Sequence, residues 1–298
     1  MKSVDPTSIP VPDLNQFLVG AIAPRPIAFI STIDESGISN IAPYSFFNVF
    51  SVNPPVLAFS CTRKPGENPQ KDTLHNISLN QEAVINTVPW AIVRQMTIAS
   101  MEYPAQVDEF IKSGLTPIAS ELVTPFRIAE SPVQMECRVR DIIPLGEKPG
   151  SSTLVLCDVL RIHISESILD ENERIDPHKI DLAARMGRAF YVRASGPAVH
   201  VIAQPFSPTG IGFDQLPASI RHSTLLTGNE LGQLAAQPAI PDPELLEALK
   251  GQEFMQSIWH LPDARLQLQL KIQHTLADGN PDFALQLAFL MDALPSVA

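Results

Sequence analysis

IAFISTIDESGISNIAPYSFFNVFSVNPPVLAFSCT, residues 27–62, decides the fold class. Residues 27–34 are rich in β-branched and aromatic side chains and predict a strand. Glu35-Ser36-Gly37 supplies a turn, and a second strand runs toward Ala42. After the pair Pro54-Pro55, residues 56–62 predict a third strand. Strand, short turn, strand, proline pair and strand together predict an antiparallel sheet. The middle of the stretch, residues 40–51, has a mixed texture. Phe46, Phe47 and Phe50 are core-grade, yet Asn40, Tyr44, Ser45, Asn48 and Ser51 are threaded among them. A core strand would carry fewer uncharged hydrogen-bonding groups, and a loop would carry fewer phenylalanines.

Downstream, residues 133–144 and 153–165 are long β-rich runs separated by GEKPGSS, which predicts a hairpin. Val133, Met135, Cys137 and Val139 alternate with polar residues, so one face is wet. Helices are predicted over 70–80, with Asp72 or Thr73 as the cap, over 90–101, over 107–113 with Gly114 as the stop, and over 176–189. Asp108-Glu109 reads as a charge patch at a helix start. Residues 83–88 and the run FYVRAS predict further strands. Residues 1–24, punctuated by Pro10, Pro12 and Pro24, predict an extended arm. Beyond about Gly196 the texture changes. A linker containing Pro205, Pro208 and Pro217 leads to helical patterns over 229–237, 243–258, 264–276 and 281–294. LQLQLKI, 266–272, alternates strictly, but its residues are helix formers and its neighbours are helical, so helix is preferred. The outline is a β-dominated domain over 1–196 and a linker with a helical C-terminal extension over 197–298. An antiparallel sheet of that size closes into a barrel or sandwich.

The 298 residues are 45% hydrophobic and 18% charged, which supports a packed core and excludes disorder. The formal charge of −11 argues against nucleic acid. The densest basic cluster, Lys179, Arg185, Arg188 and Arg193, reads as a solvated or locally paired face. No run approaches the roughly 20 apolar residues of a membrane span, and the first residues carry no apolar leader, so a cytoplasmic location is expected. Cys61, Cys137 and Cys157 are odd in number and lack C-x-x-C spacing, so buried reduced thiols are expected. The seven histidines are scattered without H-x-x-x-H spacing, and no metal site is expected. Neither G-x-x-x-x-G-K-[ST] nor G-x-S-x-G occurs, and no carboxylates form a recognisable acid/base pair. No catalytic side chain is therefore assigned, and any enzymatic chemistry belongs to a cofactor.

Four short pieces point to a phosphorylated, flat ligand. Arg25, between two prolines in PRPIAFIST (24–32), suits either a phosphate contact or a surface position at a strand start. Tyr44, Ser45, Phe46 and Asn48 offer polar groups for the edge of a heteroaromatic ring and a phenyl face to pack on it, although phenylalanines in such a run are more often core. Ser60 is a small hydroxyl at a strand end. Lys71, Asp72 and Thr73 open a helix, whose free N–H groups favour an anion even where Asp72 merely caps.

In this order and spacing, PRPIAFIST, NIAPYSFFN, S-x-x-PP, Ser60 and KDT-x-x-NI closely resemble the flavin reductase-like, FMN-binding split-barrel family. EFIKSGLTP (109–117) and AESPVQMECRV (129–139) continue the resemblance, which covers about residues 20–195. It implies a mainly β fold, an antiparallel split β-barrel with inserted short helices, beside the helical C-terminal extension. It also implies a homodimer with FMN near the subunit interface. Residues 42–48 would run along the isoalloxazine, and Ser60 with Lys71, Asp72 and Thr73 would serve the ribityl phosphate end, with Arg25 assisting. The reaction implied is reduction of FMN by NADH or NADPH, with a monooxygenase as the possible partner receiving reduced FMN. Two further readings stay open: an FMN-binding electron carrier reduced by a redox protein, and a non-enzymatic flavin-binding module.

Overall fold

The computed structural model describes residues 1–63, 71–148, 150–202 and 210–294. Gln70, Pro149, Pro205 and Pro208, which the sequence places in a helix start, a turn and a linker, lie outside the described residues. The chain divides into two compact units, Met1–His200 and Val201–Ala298.

In the first unit the elements run α1 (Val11–Ala21), β1 (Ala28–Ile33), β2 (Ser39–Tyr44), β3 (Phe47–Val52), β4 (Pro55–Thr62), α2 (Asp72–Asn80), β5 (Glu82–Thr87), α3 (Val93–Ala99) and α4 (Glu109–Ser113). They continue with the short pair β6 (Pro117–Ile118) and β7 (Arg127–Ile128), the long hairpin β8 (Val133–Pro144) and β9 (Ser152–Ile164), and a last hairpin β10 (Leu182–Gly187) and β11 (Phe190–Ala194). Seven strands form one antiparallel sheet in the order β2-β1-β5-β8-β9-β4-β3. Its two flanks curl toward each other: the ring of Tyr44 on β2 packs on Phe59 of β4 with centroids 5.4 Å apart. The result is an open, split barrel. Ala28, Ile30, Phe59, Ile85, Cys137, Val155 and Cys157 fill its interior together with Leu74 and Ile77 of α2. Side chains alternate along a strand, so Ile27 and Phe29 face outward. There they are covered by Val93 and Met96 of α3 and Phe110 of α4.

The turn between β1 and β2 forms as its residues require. Asp34 accepts N–H bonds from Ser36 and Ile38, and Gly37 sits at φ +83°. All three cysteines are buried free thiols. Burial pushes Cys61 up to about 11 and Cys157 up to about 12, so both stay protonated near neutral pH.

Four readings of the sequence are corrected. Residues 11–21 are helical, because Pro12 lies in the first helical turn, where its missing N–H has no partner to lose. Residues 182–187 are a strand: Ala183 N–H donates to Val88 and Arg185 exchanges main-chain bonds with Arg25, so extended partners override the helix formers. Neither Asp72 nor Thr73 caps α2; Lys71 occupies the cap position and makes no side-chain cap bond. Phe50 is not core. It lies on β3, the edge strand, and is 68% exposed. The charge patch divides likewise: Asp108 caps α4 by accepting from Phe110 N–H, whereas Glu109 is buried.

Among its described residues the second unit holds six α-helices: α5 (Ala218–Arg221), α6 (Gly228–Ala235), α7 (Pro243–Lys250), α8 (Glu253–Trp259), α9 (Ala264–Ala277) and α10 (Pro281–Leu290). Gly251 and Gln252 split the predicted 243–258 helix in two. Thr227 and Glu230 start α6 with a reciprocal capping box. LQLQLKI is helical: Leu268, Ile272 and Leu276 are buried at four-residue spacing while Leu266 is exposed. These three pack with Leu234, Leu285 and Ala288 in a core of the unit's own.

Candidate functional site

Arg25 is the keystone. Its main chain exchanges two 2.9 Å hydrogen bonds with Arg185 of β10. Its Nη1 donates to the carbonyls of Val19 (2.5 Å) and Ile22 (2.6 Å), which closes the C-terminal end of α1. Its Nε reaches Ser45 Oγ at 3.4 Å, and the guanidinium lies 5.7 Å from the Phe46 ring centroid. Only 7% of Arg25 is exposed. Burial, and then the positive charge of Arg185, lowers its affinity for its proton. On the other side, Ser60 N–H donates to the Phe46 carbonyl at 2.9 Å, and Lys71 Nζ sits 5.2 Å from the Tyr44 ring centroid.

These groups surround a cavity of about 350 Å3. Four cations line it, Arg25, Lys71, Arg185 and Arg188, together with the hydroxyls of Ser45, Ser60 and Thr62. Among the described residues no Asp or Glu lines it. A smaller cavity of about 100 Å3 shares the Pro43, Tyr44 and Lys71 wall and adds Asp72, Thr73 and Glu109. Under it runs a hydrogen-bonded network. Glu109 Oε2 accepts from Ile41 N–H and Asn40 Nδ2, both at 3.2 Å. Asn40 Oδ1 accepts from Thr73 Oγ1 at 2.8 Å and from Thr32 Oγ1 at 3.3 Å, and Asn76 Nδ2 donates to Thr32 Oγ1. Burial raises the Glu109 carboxyl above its ordinary value, its N–H partners oppose that, and the Asp72 charge adds to it.

Of the residues singled out by sequence, Arg25, Tyr44, Ser45, Phe46, Ser60 and Lys71 meet in the larger cavity. Asp72 and Thr73 meet Lys71 in the smaller one. Thr73 is 1% exposed and its hydroxyl proton is committed to Asn40. Asn48 lines neither cavity; it is exposed on β3, where its side chain accepts from Val49 N–H. Arg185 and Arg188, which the sequence alone presents as a solvated or locally paired face, line the cavity because the β10–β11 hairpin brings them there. Arg193 of the same cluster does pair, bidentately, with Asp181. Among the described residues no three His, Cys, Asp or Glu are grouped to hold a metal ion, and no helix is long and apolar enough to cross a membrane.

The model of the flavin reductase like domain matches residues 20–179. A protein of Aquifex aeolicus is 38% identical over 183 residues, 61% of this chain and 91% of that protein. The protein YwrF of Bacillus subtilis is 32% identical over 184 residues, 61% of this chain and 89% of its own length. Among solved structures, nitrilotriacetate monooxygenase component B from Bacillus cereus superposes with a TM-score of 0.63 at 30% identity, over 67% of this chain and 98% of that one. A flavoredoxin of Desulfovibrio vulgaris shares the fold at TM-score 0.52 and 22% identity, over 62% and 92% of the two chains. With more than half of its length matched in this way, the chain belongs to the flavin reductase like domain family.

Proposed function

We propose that this chain is an NAD(P)H-dependent flavin reductase that binds FMN in the 350 Å3 cavity. One observation carries the reading: among the described residues, four cations and no carboxylate converge on one cavity in a chain of net charge −11. Uncompensated like charge costs stability, so such a site favours an anionic ligand, and a phosphorylated flavin supplies one. Lys71, Ser60 and Thr62 would hold the phosphate, and Arg25 the middle of the ligand. Ser45 and the main chain of 43–46 would border the ring edge, with Phe46 against its face. Thr73 acts through α2, by anchoring its first turn to Asn40 of β2, and Asp72 stands beside it on the wall of the smaller cavity. Bound there, FMN supplies an acceptor for the two electrons of a reduced nicotinamide. The side chains bind, orient and exclude water, and none is required to move a proton.

We also propose a homodimer. The edge strand β3 presents Val49, Phe50 and Val52 to solvent, and β9 presents Leu160, Ile162 and Ile164. Apolar surface of this kind, on the β3 edge and on the exposed end of β9, calls for a cover. Phe50→Asp is expected to halve the mass measured by sedimentation; an unchanged mass removes β3 from the interface. The likeness to a monooxygenase component B supports a role in handing reduced FMN to a partner monooxygenase.

The central test is anaerobic. The purified chain with FMN should lose its visible flavin absorbance when NADH or NADPH is added. Reduction by a ferredoxin-like donor alone would select the electron carrier. A chain that takes up no FMN would leave only the binding-module reading.

A further inference from the structure

The cavity carries more positive charge than one FMN can use. A phosphomonoester contributes roughly −2 near neutral pH, and the cavity presents four cations. Their positions divide them. Lys71 stands on the wall shared with the smaller cavity beside α2. Arg188 stands on a different wall, shared through Val19 and Gly187 with a third cavity of about 510 Å3. That third cavity is an apolar groove. Val19 and Gly20 of α1 form one side, and Met186, Phe190 and Val192 of the β10–β11 hairpin form the other. Phe190 is 66% exposed. Arg185 is braced at the junction: its guanidinium lies 4.5 Å from the Tyr191 ring centroid and donates to the Arg188 carbonyl. No salt bridge occupies Arg185 or Arg188 among the described residues. The hairpin and nearly all of α1 lie outside the residues matched by the family model, 20–179.

We propose that this end of the cavity is the subsite for the adenylate half of the dinucleotide donor, with its pyrophosphate on Arg188 and Arg185 and its adenine in the groove against Phe190. The inference rests on the reading of the chain as an FMN-binding reductase. It commits to a dinucleotide because an anion site shares its Arg188 wall with an aromatic-lined slot, and adenosine diphosphate joins those two chemistries in one molecule. The two phosphates of the donor also match the two arginines that the flavin phosphate leaves over.

The test uses the FMN-loaded chain and ADP as probe, with binding read by calorimetry. Arg188→Asn removes the charge but suits the backbone, since Arg188 sits at φ +48°, a region Asn tolerates. ADP should bind the wild type without displacing FMN. Arg188→Asn should weaken ADP about tenfold or more, and Phe190→Ala by about fivefold, with FMN affinity, followed separately by flavin fluorescence, falling by clearly less than ADP affinity in both. Three results overturn the assignment: equal ADP affinity in wild type and Arg188→Asn, displacement of FMN by ADP, or an equal loss of FMN affinity in Arg188→Asn, which would place the flavin phosphate there instead. A wild-type chain that takes up no FMN overturns the underlying reading, and the inference with it. That failure is told apart because it appears before any ADP is added.

Discussion

At the α2 end of the cavity, Asn40 ties Glu109, Thr73 and Thr32 into one set of hydrogen bonds. At the α1 end, a helix with no buried residue leans on a two-stranded hairpin, held by the Arg25 bonds to its last carbonyls. The first end spends its polar groups on fixing the main chain of β2 and the start of α2. The second leaves apolar side chains and arginine charge on the surface. Local stability follows the density of buried contacts, so the α2 end should be rigid before a ligand arrives and the α1 end should adapt to it.

The largest effect expected is at Asn40. Asn40→Ala strips partners from a buried carboxylate and a buried hydroxyl together, and should cost about 3 kcal/mol. Urea unfolding followed by Trp90 fluorescence, in a Trp259→Phe background that silences the helical unit, measures it. A loss below about 1 kcal/mol would break the contrast between the two ends. Gly187→Ala probes the other end. Gly187 sits at φ +129°, and a Cβ there would meet the Val19 carbonyl oxygen at 3.2 Å. The cost should be about 2 kcal/mol, and it should be local: amide exchange of 11–21 speeds up while that of 72–80 does not.

Lys71 and Thr73 sharpen the comparison further, because they adjoin in sequence and differ in role. Lys71→Ala should weaken FMN binding about tenfold and leave unfolding within about 0.5 kcal/mol. Thr73→Ala should lower stability by about 1–2 kcal/mol, since its hydroxyl is donated to Asn40. If the two variants behaved alike in both assays, α2 would be acting only as a binding loop or only as an anchor.

The same contrast explains what could be read from the sequence. β1, β2, β4 and the β8–β9 hairpin were legible because alternation and turn residues are local signals. β3 was hidden by its position: an edge strand facing solvent has no apolar alternation to detect, and Phe50 looks like core until the strand order is known. β10 reads as helix because Leu, Ala, Arg and Met are helix formers, and only its pairing with β11 and its bridges to Arg25 and Pro89 make it extended. The cationic wall followed that error, since Arg185 and Arg188 reach the cavity only through the hairpin. The α2 end was found through the order of motifs, but its purpose was not: Glu109 meets Ile41 and Asn40 across 68 and 69 residues.

Glu109 gives the smallest and most diagnostic prediction. Its carboxyl is raised above the ordinary value by burial, so the folded state binds that proton more tightly than the unfolded chain does. For a raised carboxyl, the contribution to stability is fully present below the unfolded value and is lost as pH rises through the folded one. Wild-type stability should therefore fall relative to Glu109→Gln from about pH 4 upward, then level off once the folded carboxyl is ionised. The glutamine keeps an oxygen for Ile41 N–H and Asn40, so the network survives while the buried charge is removed. Urea unfolding of both proteins across that range, again read at Trp90, gives the difference directly. A difference independent of pH would mean that the carboxyl ionises alike in both states. The rigidity of the α2 end would then rest on hydrogen-bond geometry alone, with no contribution from the burial of charge.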